Sequence, residues 1–170
     1  RDYVLKPSIT PGGAALINVI GGKLTTYRRL AEVTLEKAAE IIGTKGKPWT
    51  DRVPLPGGDF APTGYPEVVA GLKRDYPFLD LAYAQRLVRL YGTLARKILG
   101  LARSYADLGR HFGDDLYEAE VRYLMLNEWA RTLDDVLWRR TKRGLHASSV
   151  NVAALDEFIQ SGVTRHAAVG

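Results

Sequence analysis

One short segment of this chain combines small residues, a cation and hydroxyl groups in an order that suits anion binding. It reads GGKLTTYR at residues 21–28 and follows the apolar run AALINVI at residues 14–20. Two glycines remove the Cβ atoms that would keep a ligand away from the backbone. Lys23 adds a full positive charge where a helical pattern begins, and a helix N-terminus favours negative charge. The segment therefore has two interpretations at this point: contact with an anionic or electron-rich ligand, or an ordinary strand–turn–helix with a solvated lysine.

The elements around this segment read as strand, turn, strand and helix. A short strand is predicted at residues 3–5, a turn or loop at residues 7–13, and a second strand at residues 14–20. Because the second run is almost continuously apolar, we expect a strand that is buried on both faces. Apolar residues at i, i+3 and i+4 between Tyr27 and Ile42 predict an amphipathic helix. Thr25 or Thr26 is the candidate cap of that helix.

A proline- and glycine-rich segment separates this part from the rest of the chain. Residues 44–66 hold five prolines and four glycines, which exclude regular structure and indicate a domain boundary. Beyond it, helices are predicted at 66–75, 81–91, 94–102, 116–129, 133–143 and 150–160. The candidate N-caps of these helices are Asp80, Thr93, Asp115, Thr132 and Ser149, and Thr132 with Asp135 approximates a capping box.

These patterns predict a mainly α fold. An all-helical carboxyl-terminal domain at residues 67–170 follows a β-β-α segment at residues 1–47 and a linker at residues 48–66. The Trp and Tyr side chains of the helical part are expected in the core or at a domain interface: Tyr117, Tyr123, Trp129 and Trp138. Its acidic side chains Glu118, Glu120 and Glu128 are most simply explained by the helix dipole.

Composition narrows the function classes. The chain is 46% hydrophobic and 25% charged, as in ordinary globular proteins, and no apolar run reaches the ~20 residues of a membrane span. It has no signal-peptide pattern and no cysteine, which excludes disulfides and thiolate metal sites and fits the cytosol. Its three histidines share no metal spacing, so we expect no metal. The net charge is +5 and most of the excess lies in residues 1–47, which argues against nucleic-acid binding.

Further motifs recur along the chain in a recognisable order. They are RDY at 1–3, LPGGDF at 55–60, LYEAE at 116–120, NEWAR at 127–131 and LWRRTK at 137–142. Together with GGKLTTYR, they closely resemble the carboxyl-terminal part of FAD-dependent glycerol-3-phosphate dehydrogenases and the related glycerophosphate oxidases. The resemblance spans nearly the whole chain.

This resemblance implies roles for individual residues. Gly22, Lys23, Leu24 and Thr25 would lie against the flavin ring of FAD, with Thr26 as a weaker candidate. Lys23 would also contact the substrate, and Arg1 would bind the substrate phosphate, for which an arginine fork is well suited. No catalytic residue is expected in this chain, because the family's remaining substrate and base residues lie upstream of Arg1.

The resemblance also implies an activity and partners. The parent enzyme would oxidise sn-glycerol 3-phosphate to dihydroxyacetone phosphate and pass electrons through FAD to quinone, at the cytoplasmic face of the cell membrane as a peripheral protein. Oxidase relatives use oxygen instead. The chain begins with Arg1 and lacks a GxGxxG fingerprint, so we expect a carboxyl-terminal fragment that is inactive alone.

Two alternatives concern the helical part. Residues 48–170 are nearly neutral and lack a catalytic constellation, so they also suit an interaction module, for instance in a homodimer. The basic cluster RRTKR at 139–143 has a simple explanation as cations at a helix end, and the other hypothesis is a patch for anionic lipid.

Overall fold

The computed structural model describes residues 3–44 and 46–167. It divides the chain into two compact units, Arg1–Pro54 and Leu55–Gly170. The division falls inside the proline- and glycine-rich segment predicted as the linker. Within the described residues there are six α-helices and two short two-stranded sheets, which confirms the prediction of a mainly α fold.

The first unit is a β-hairpin followed by one helix, as predicted. Strands β1 (Val4–Ile9) and β2 (Ala15–Ile20) pair antiparallel, with Val4 opposite Ile20 and Ile9 opposite Ala15, and α1 follows at Tyr27–Ile42. Strand β1 extends through Pro7, which the sequence placed in a loop. A proline is tolerated here because each strand of a two-stranded sheet has a free edge.

The prediction that the second strand is buried on both faces is wrong for this chain. Leu16 is 59% exposed and Ile20 is 52% exposed, and α1 contains no buried residue. A two-stranded hairpin with one helix has too few elements to cover two faces of a sheet. A continuous apolar run is typical of a strand that has other elements packed on both faces. The two strands and one helix of this unit do not provide them.

The start of α1 also differs from the expected cap. A 3-10 turn, Leu24–Thr26, precedes the helix, and Thr26 occupies the N-cap position. Its hydroxyl donates to the Lys23 carbonyl oxygen (3.2 Å) and makes no side-chain cap bond to the helix. The backbone of Thr26 (φ −112°, ψ 10°) is outside the extended region from which a cap side chain reaches the first-turn N–H groups.

The second unit contains the remaining elements and the core. Its helices are α2 (Tyr65–Asp75), α3 (Leu81–Tyr91), α4 (Ala95–Leu99), α5 (Glu118–Asn127) and α6 (Val152–Ala167), with a π-helical stretch at Asp135–Arg140. All buried hydrophobic residues of the described chain lie between Val69 and Ile159. This unit therefore carries the hydrophobic core of the described chain.

The second unit is a helical domain, as predicted, and it contains one short hairpin in addition. Strands β3 (His111–Gly113) and β4 (Leu116–Tyr117) form a small antiparallel hairpin before α5. Its turn residues Asp114 and Asp115 both have left-handed φ values, 45° and 53°. Two consecutive left-handed residues close a tight hairpin whose twist matches the strands. As a result α5 begins at Glu118, later than predicted, and Asp115 is a turn residue and not its N-cap.

Side-chain caps at two other helix starts agree with the sequence patterns. The Asp80 carboxylate accepts from the Tyr83 N–H at 2.7 Å. Thr132 and Asp135 form the reciprocal pair: the Thr132 hydroxyl oxygen accepts from the Asp135 N–H (3.2 Å), and the Asp135 carboxylate accepts from the Thr132 N–H (2.9 Å). These contacts satisfy N–H groups that a helix start leaves unpaired.

The other two predicted caps are not used. Asn151 takes the place expected for Ser149, because its side-chain oxygen accepts from the Ala154 N–H at 3.1 Å. Thr93 lies inside a 3-10 turn, and its hydroxyl bonds to the Asp59 carboxylate. Helix α4 is also shorter than the predicted 94–102, because the chain turns at Gly100 with φ 55°.

The surface of the second unit bears on two expectations. Trp129 is 80% exposed and lies outside the core, so its expected place at a domain interface stays a prediction. Arg139 pairs with Asp135 at 3.0 Å, Arg140 with Glu128 at 3.6 Å and Arg143 with Asp114 at 2.7 Å, so three cations of the basic cluster are neutralised locally. Lys142 donates to the Trp138 carbonyl oxygen, as expected for a cation at a helix end. No described helix is long and apolar enough to cross a membrane.

Candidate functional site

The segment predicted to meet a ligand forms a tight reversal between β2 and α1. Gly21 and Gly22 have φ values of 82° and 114°, in the left-handed region that side chains with a Cβ rarely adopt. A Cβ on Gly22 would also lie 3.1 Å from the Leu30 side chain. Both glycines are therefore required for the chain to leave the strand and enter the helix at this angle.

The reversal presents its next residues to the outside. Lys23, Leu24 and Thr25 are all exposed, and Leu24 is exposed over 89% of its surface. The Thr26 N–H donates to the Lys23 carbonyl oxygen at 3.0 Å, which tightens the first turn. The structure therefore places the four predicted cofactor residues, Gly22 to Thr25, on one accessible turn. Their role stays a prediction, and Arg1 lies outside the described residues.

Lys23 differs electrostatically from the arginines that follow it. Within the described chain, no carboxylate lies within 4.0 Å of its ammonium group. By contrast, Arg28 and Arg29 both pair with Glu32, at 2.9 and 3.3 Å. A hydrogen bond from the Thr50 hydroxyl, together with these arginines, lowers the pKa of Glu32 below its ordinary value, so the carboxylate stays charged. Among the described cations between residues 21 and 29, Lys23 is therefore the one without a carboxylate within 4.0 Å.

This geometry fits a flavin ring. The glycines leave the backbone accessible, and Lys23 adds a positive charge at the residue directly before the first helical turn. Such an arrangement stabilises negative charge on a bound ring and so favours its reduced form. A role of this turn in binding an electron carrier stays a prediction, and the described segment offers no general base.

A buried charged cluster in the second unit was missed by the sequence reasoning. Arg86 forms two hydrogen bonds to Glu120, at 2.8 and 2.7 Å, and Glu120 is completely buried. The Tyr91 hydroxyl also donates to Glu120 at 2.6 Å, and Arg86 approaches Asp115 at 2.9 Å. Burial and the Glu120 charge raise the pKa of Tyr91, so its phenol stays protonated as a donor.

This cluster connects three elements of the core. Arg86 lies on α3, Glu120 on α5, and Asp115 in the β3–β4 turn, where Arg143 approaches it at 3.4 Å. Attributing Glu120 to the helix dipole alone was incomplete. The sequence spacing could have indicated that Glu120 is buried. Glu120 precedes Leu124 by about one helical turn and therefore lies on the same buried face of the helix. The cluster is structural: it fixes the hairpin turn against the helices.

Comparison with known proteins supports the family resemblance that the sequence motifs suggested. A family model described as the C-terminal domain of alpha-glycerophosphate oxidase matches residues 48–162. The chain belongs to this family. The match covers the linker and most of the second unit, so the matched residues include the Arg86–Glu120 cluster, whereas the candidate flavin turn precedes them in the sequence.

Relatives of known name extend the similarity over both units. The chain is 46% identical to the aerobic glycerol-3-phosphate dehydrogenase of Escherichia coli over 94% of its length. It is 42% identical to D-erythritol 1-phosphate dehydrogenase of Brucella abortus and 41% identical to glycerol-3-phosphate dehydrogenase of Pseudomonas aeruginosa, each over 95% of its length. The chain spans about one third of each relative, between 31% and 32%. The resemblance to the glycerol-3-phosphate dehydrogenase family is thereby confirmed.

Proposed function

We propose that this chain is the carboxyl-terminal part of an FAD-dependent dehydrogenase that oxidises sn-glycerol 3-phosphate to dihydroxyacetone phosphate. The observation that carries the proposal is the exposed turn from Gly22 to Thr25, with its unpaired lysine at a helix start. Similarity to two glycerol-3-phosphate dehydrogenases supports the substrate, and the membership of a glycerophosphate oxidase family supports the flavin.

The residues of the turn would have distinct tasks. When bound, FAD would supply the hydride-accepting chemistry of the reaction. Gly21 and Gly22 would allow the backbone to approach the flavin ring. Lys23 would stabilise negative charge on the reduced ring. Leu24 and Thr25 would cover the ring edge and exclude water from it.

Substrate recognition would require a phosphate site. Arg1 would provide a bidentate guanidinium fork, and Lys23 would add a point charge. D-erythritol 1-phosphate, the compound in the name of one relative, carries the same terminal phosphate on a longer polyol. Because the proposed phosphate contacts suit both compounds, it is the appropriate comparison substrate.

The electron acceptor and location complete the proposal. We place the parent at the cytoplasmic face of the cell membrane as a peripheral protein, with quinone as acceptor. Oxygen, as in glycerophosphate oxidases, is the alternative. A quinone-linked enzyme reduces a soluble quinone analogue under nitrogen, whereas an oxidase produces one hydrogen peroxide for each substrate oxidised.

The decisive experiment is an anaerobic titration of the full-length parent with sn-glycerol 3-phosphate, recorded in the visible flavin band. Stoichiometric bleaching is expected. Bleaching only with D-erythritol 1-phosphate would show that this compound, and not sn-glycerol 3-phosphate, is the substrate. A protein without flavin would refute the proposal. The 170-residue chain alone should purify colourless, because it has no GxGxxG segment to hold the pyrophosphate.

A second candidate is a helical interaction module that acts through contact between copies. It is favoured by exposed apolar side chains on the second unit, since Leu101 is 98% exposed and Leu145 is 73% exposed. Light scattering on the purified chain would show a concentration-dependent dimer, and Leu101→Asp with Leu145→Asp would abolish it. A chain that stays monomeric at high concentration would eliminate this candidate.

A further inference from the structure

A cleft lies between α5 and α6 of the second unit, separate from the candidate flavin turn. Its walls include Arg122 and Leu126 from α5, Phe158 from α6, and Arg110 from the segment before β3. Its volume is about 290 Å³, at the lower end of small-molecule sites. The cleft therefore has room for a small ligand.

The charges of the cleft are unbalanced. Arg122 and Glu118 neutralise each other through contacts of 2.7 and 2.8 Å, and the Arg122 guanidinium lies 5.0 Å from the centre of the Phe158 ring. Arg110 donates its backbone N–H to Glu118 at 3.3 Å, but no carboxylate of the described chain lies within 4.0 Å of its guanidinium. One positive charge at the cleft is therefore without a close partner.

The cleft also has apolar lining residues. Met125 is almost fully buried, Phe158 is half-buried, and Leu126 is 62% exposed at the edge. The Ser161 hydroxyl, also in the cleft, already donates to the Phe158 carbonyl oxygen at 2.8 Å. A matching ligand therefore has one negative head for Arg110 and a hydrocarbon part for the wall.

We propose that this cleft binds a small carboxylate with a short hydrocarbon chain, and that Arg110 pairs with the carboxylate while Leu126, Met125 and Phe158 cover the chain. A charge-assisted guanidinium–carboxylate contact gives the site its preference for an anion. The apolar wall gives it a preference for a tail over a bare ion. This inference does not depend on the proposed dehydrogenase activity.

Calorimetric titration of the purified 170-residue chain with octanoate, below its micelle concentration, tests the site. Saturable binding with one octanoate per chain is expected. Acetate, which has only the head, and octanol, which has only the tail, should each bind at least about tenfold more weakly. Equal binding of acetate would mean an adventitious ion only, and equal binding of octanol would mean an unspecific apolar patch. Either result would overturn the proposal.

Two variants and one matched control locate the site. Arg110→Gln should weaken octanoate binding by about tenfold, since it removes the unpaired charge. Leu126→Glu, at an exposed position, should weaken it similarly by repelling the carboxylate. Arg89→Gln removes one exposed charge from α3, outside the cleft, and should leave binding unchanged. Equal affinities in all three variants would refute the assignment, provided that their thermal unfolding matches that of the wild type.

Discussion

Arg86 and Glu120 form a bidentate ion pair inside the second unit, with Nη1–Oε1 and Nη2–Oε2 distances of 2.8 and 2.7 Å. Glu120 is completely buried and Arg86 is 9% exposed. A charge in such a place is tolerated only because it is paired and hydrogen-bonded, and here Tyr91 donates a further bond to Glu120. The pair therefore joins α3 to α5 as long as both charges are present.

Removal of one partner should be strongly destabilising. We expect Glu120→Gln to lower the free energy of unfolding by about 3 kcal/mol, the lower end of the range for a broken buried pair, because Arg86 stays charged and buried with only Asp115 as a counter-ion. Urea denaturation followed by circular dichroism measures the change. The control is Asp75→Asn, which breaks the half-exposed Arg96–Asp75 pair (2.7 Å) and should cost no more than about 1 kcal/mol. Similar losses in the two variants would contradict this view of the buried pair.

Gly57 and Gly92 touch backbone to backbone and fix the LPGGDF motif on the end of α3. The Thr93 N–H donates to the Gly57 carbonyl oxygen at 3.1 Å, and a Cβ on Gly92 would overlap that same carbonyl. Gly92 also has a φ of 55°. We expect Gly92→Ala to destabilise the chain through both the left-handed backbone and the clash.

A substitution at Gly100 separates the backbone strain from the steric clash. It has nearly the same backbone as Gly92 (φ 55°, ψ −123° against φ 55°, ψ −130°), but nothing lies within 4 Å of its added Cβ. Gly100→Ala should cost about 1–3 kcal/mol from backbone strain alone. Gly92→Ala should cost about 1–3 kcal/mol more. Equal unfolding free energies of the two variants would show that the contact with Gly57 is unimportant.

Asp135 should make stability dependent on acid pH. The N–H of Arg131 and the hydroxyl and N–H of Thr132 bond to its carboxylate, which lowers its pKa to about 2. Since the folded pKa is below the unfolded one, its contribution is fully present above about pH 4 and is lost as the pH falls towards 2. Solvent screening limits this contribution to about 1 kcal/mol.

The variant Asp135→Asn tests this linkage. Unfolding free energies of the wild type and the variant should differ by a constant amount between pH 6 and pH 4, and the curves should converge at lower pH. A difference that stays constant down to the acid-unfolding limit would mean that Asp135 has an ordinary pKa in the folded chain.

Lys23 should affect flavin reduction more than folding. In the full-length parent, Lys23→Ala should slow anaerobic reduction by substrate about tenfold or more, because a charge that stabilises the reduced ring is lost. Lys23→Arg should retain most of the rate. The unfolding free energy of Lys23→Ala should stay within about 0.5 kcal/mol of the wild type. The same is expected of Lys6→Ala, an exposed control on β1. Unchanged reduction kinetics in Lys23→Ala would remove its proposed role.

The local elements were largely predictable. The helical periodicity of residues 81–91 gave α3 its observed bounds, and Asp80 caps it as expected. The Thr132–Asp135 capping box and the two-glycine reversal before α1 are likewise local devices. Such features depend on contacts within about four residues, so the sequence contains what is needed to predict them. The motif order also identified the family.

The features that the sequence did not predict depend on contacts between residues far apart in the chain. The partner of Glu120 lies 34 residues away on another helix, and the partner of Gly57 lies at the end of α3. Sequence patterns could not show that Asp114 and Asp115 turn a hairpin, or that the apolar strand β2 stays exposed in this chain. Burial and pairing depend on which distant elements pack together, because only folding brings those residues into contact. The amino-acid sequence thus determined the elements and the candidate turn, while tertiary packing determined which charges were buried and which cleft remained open.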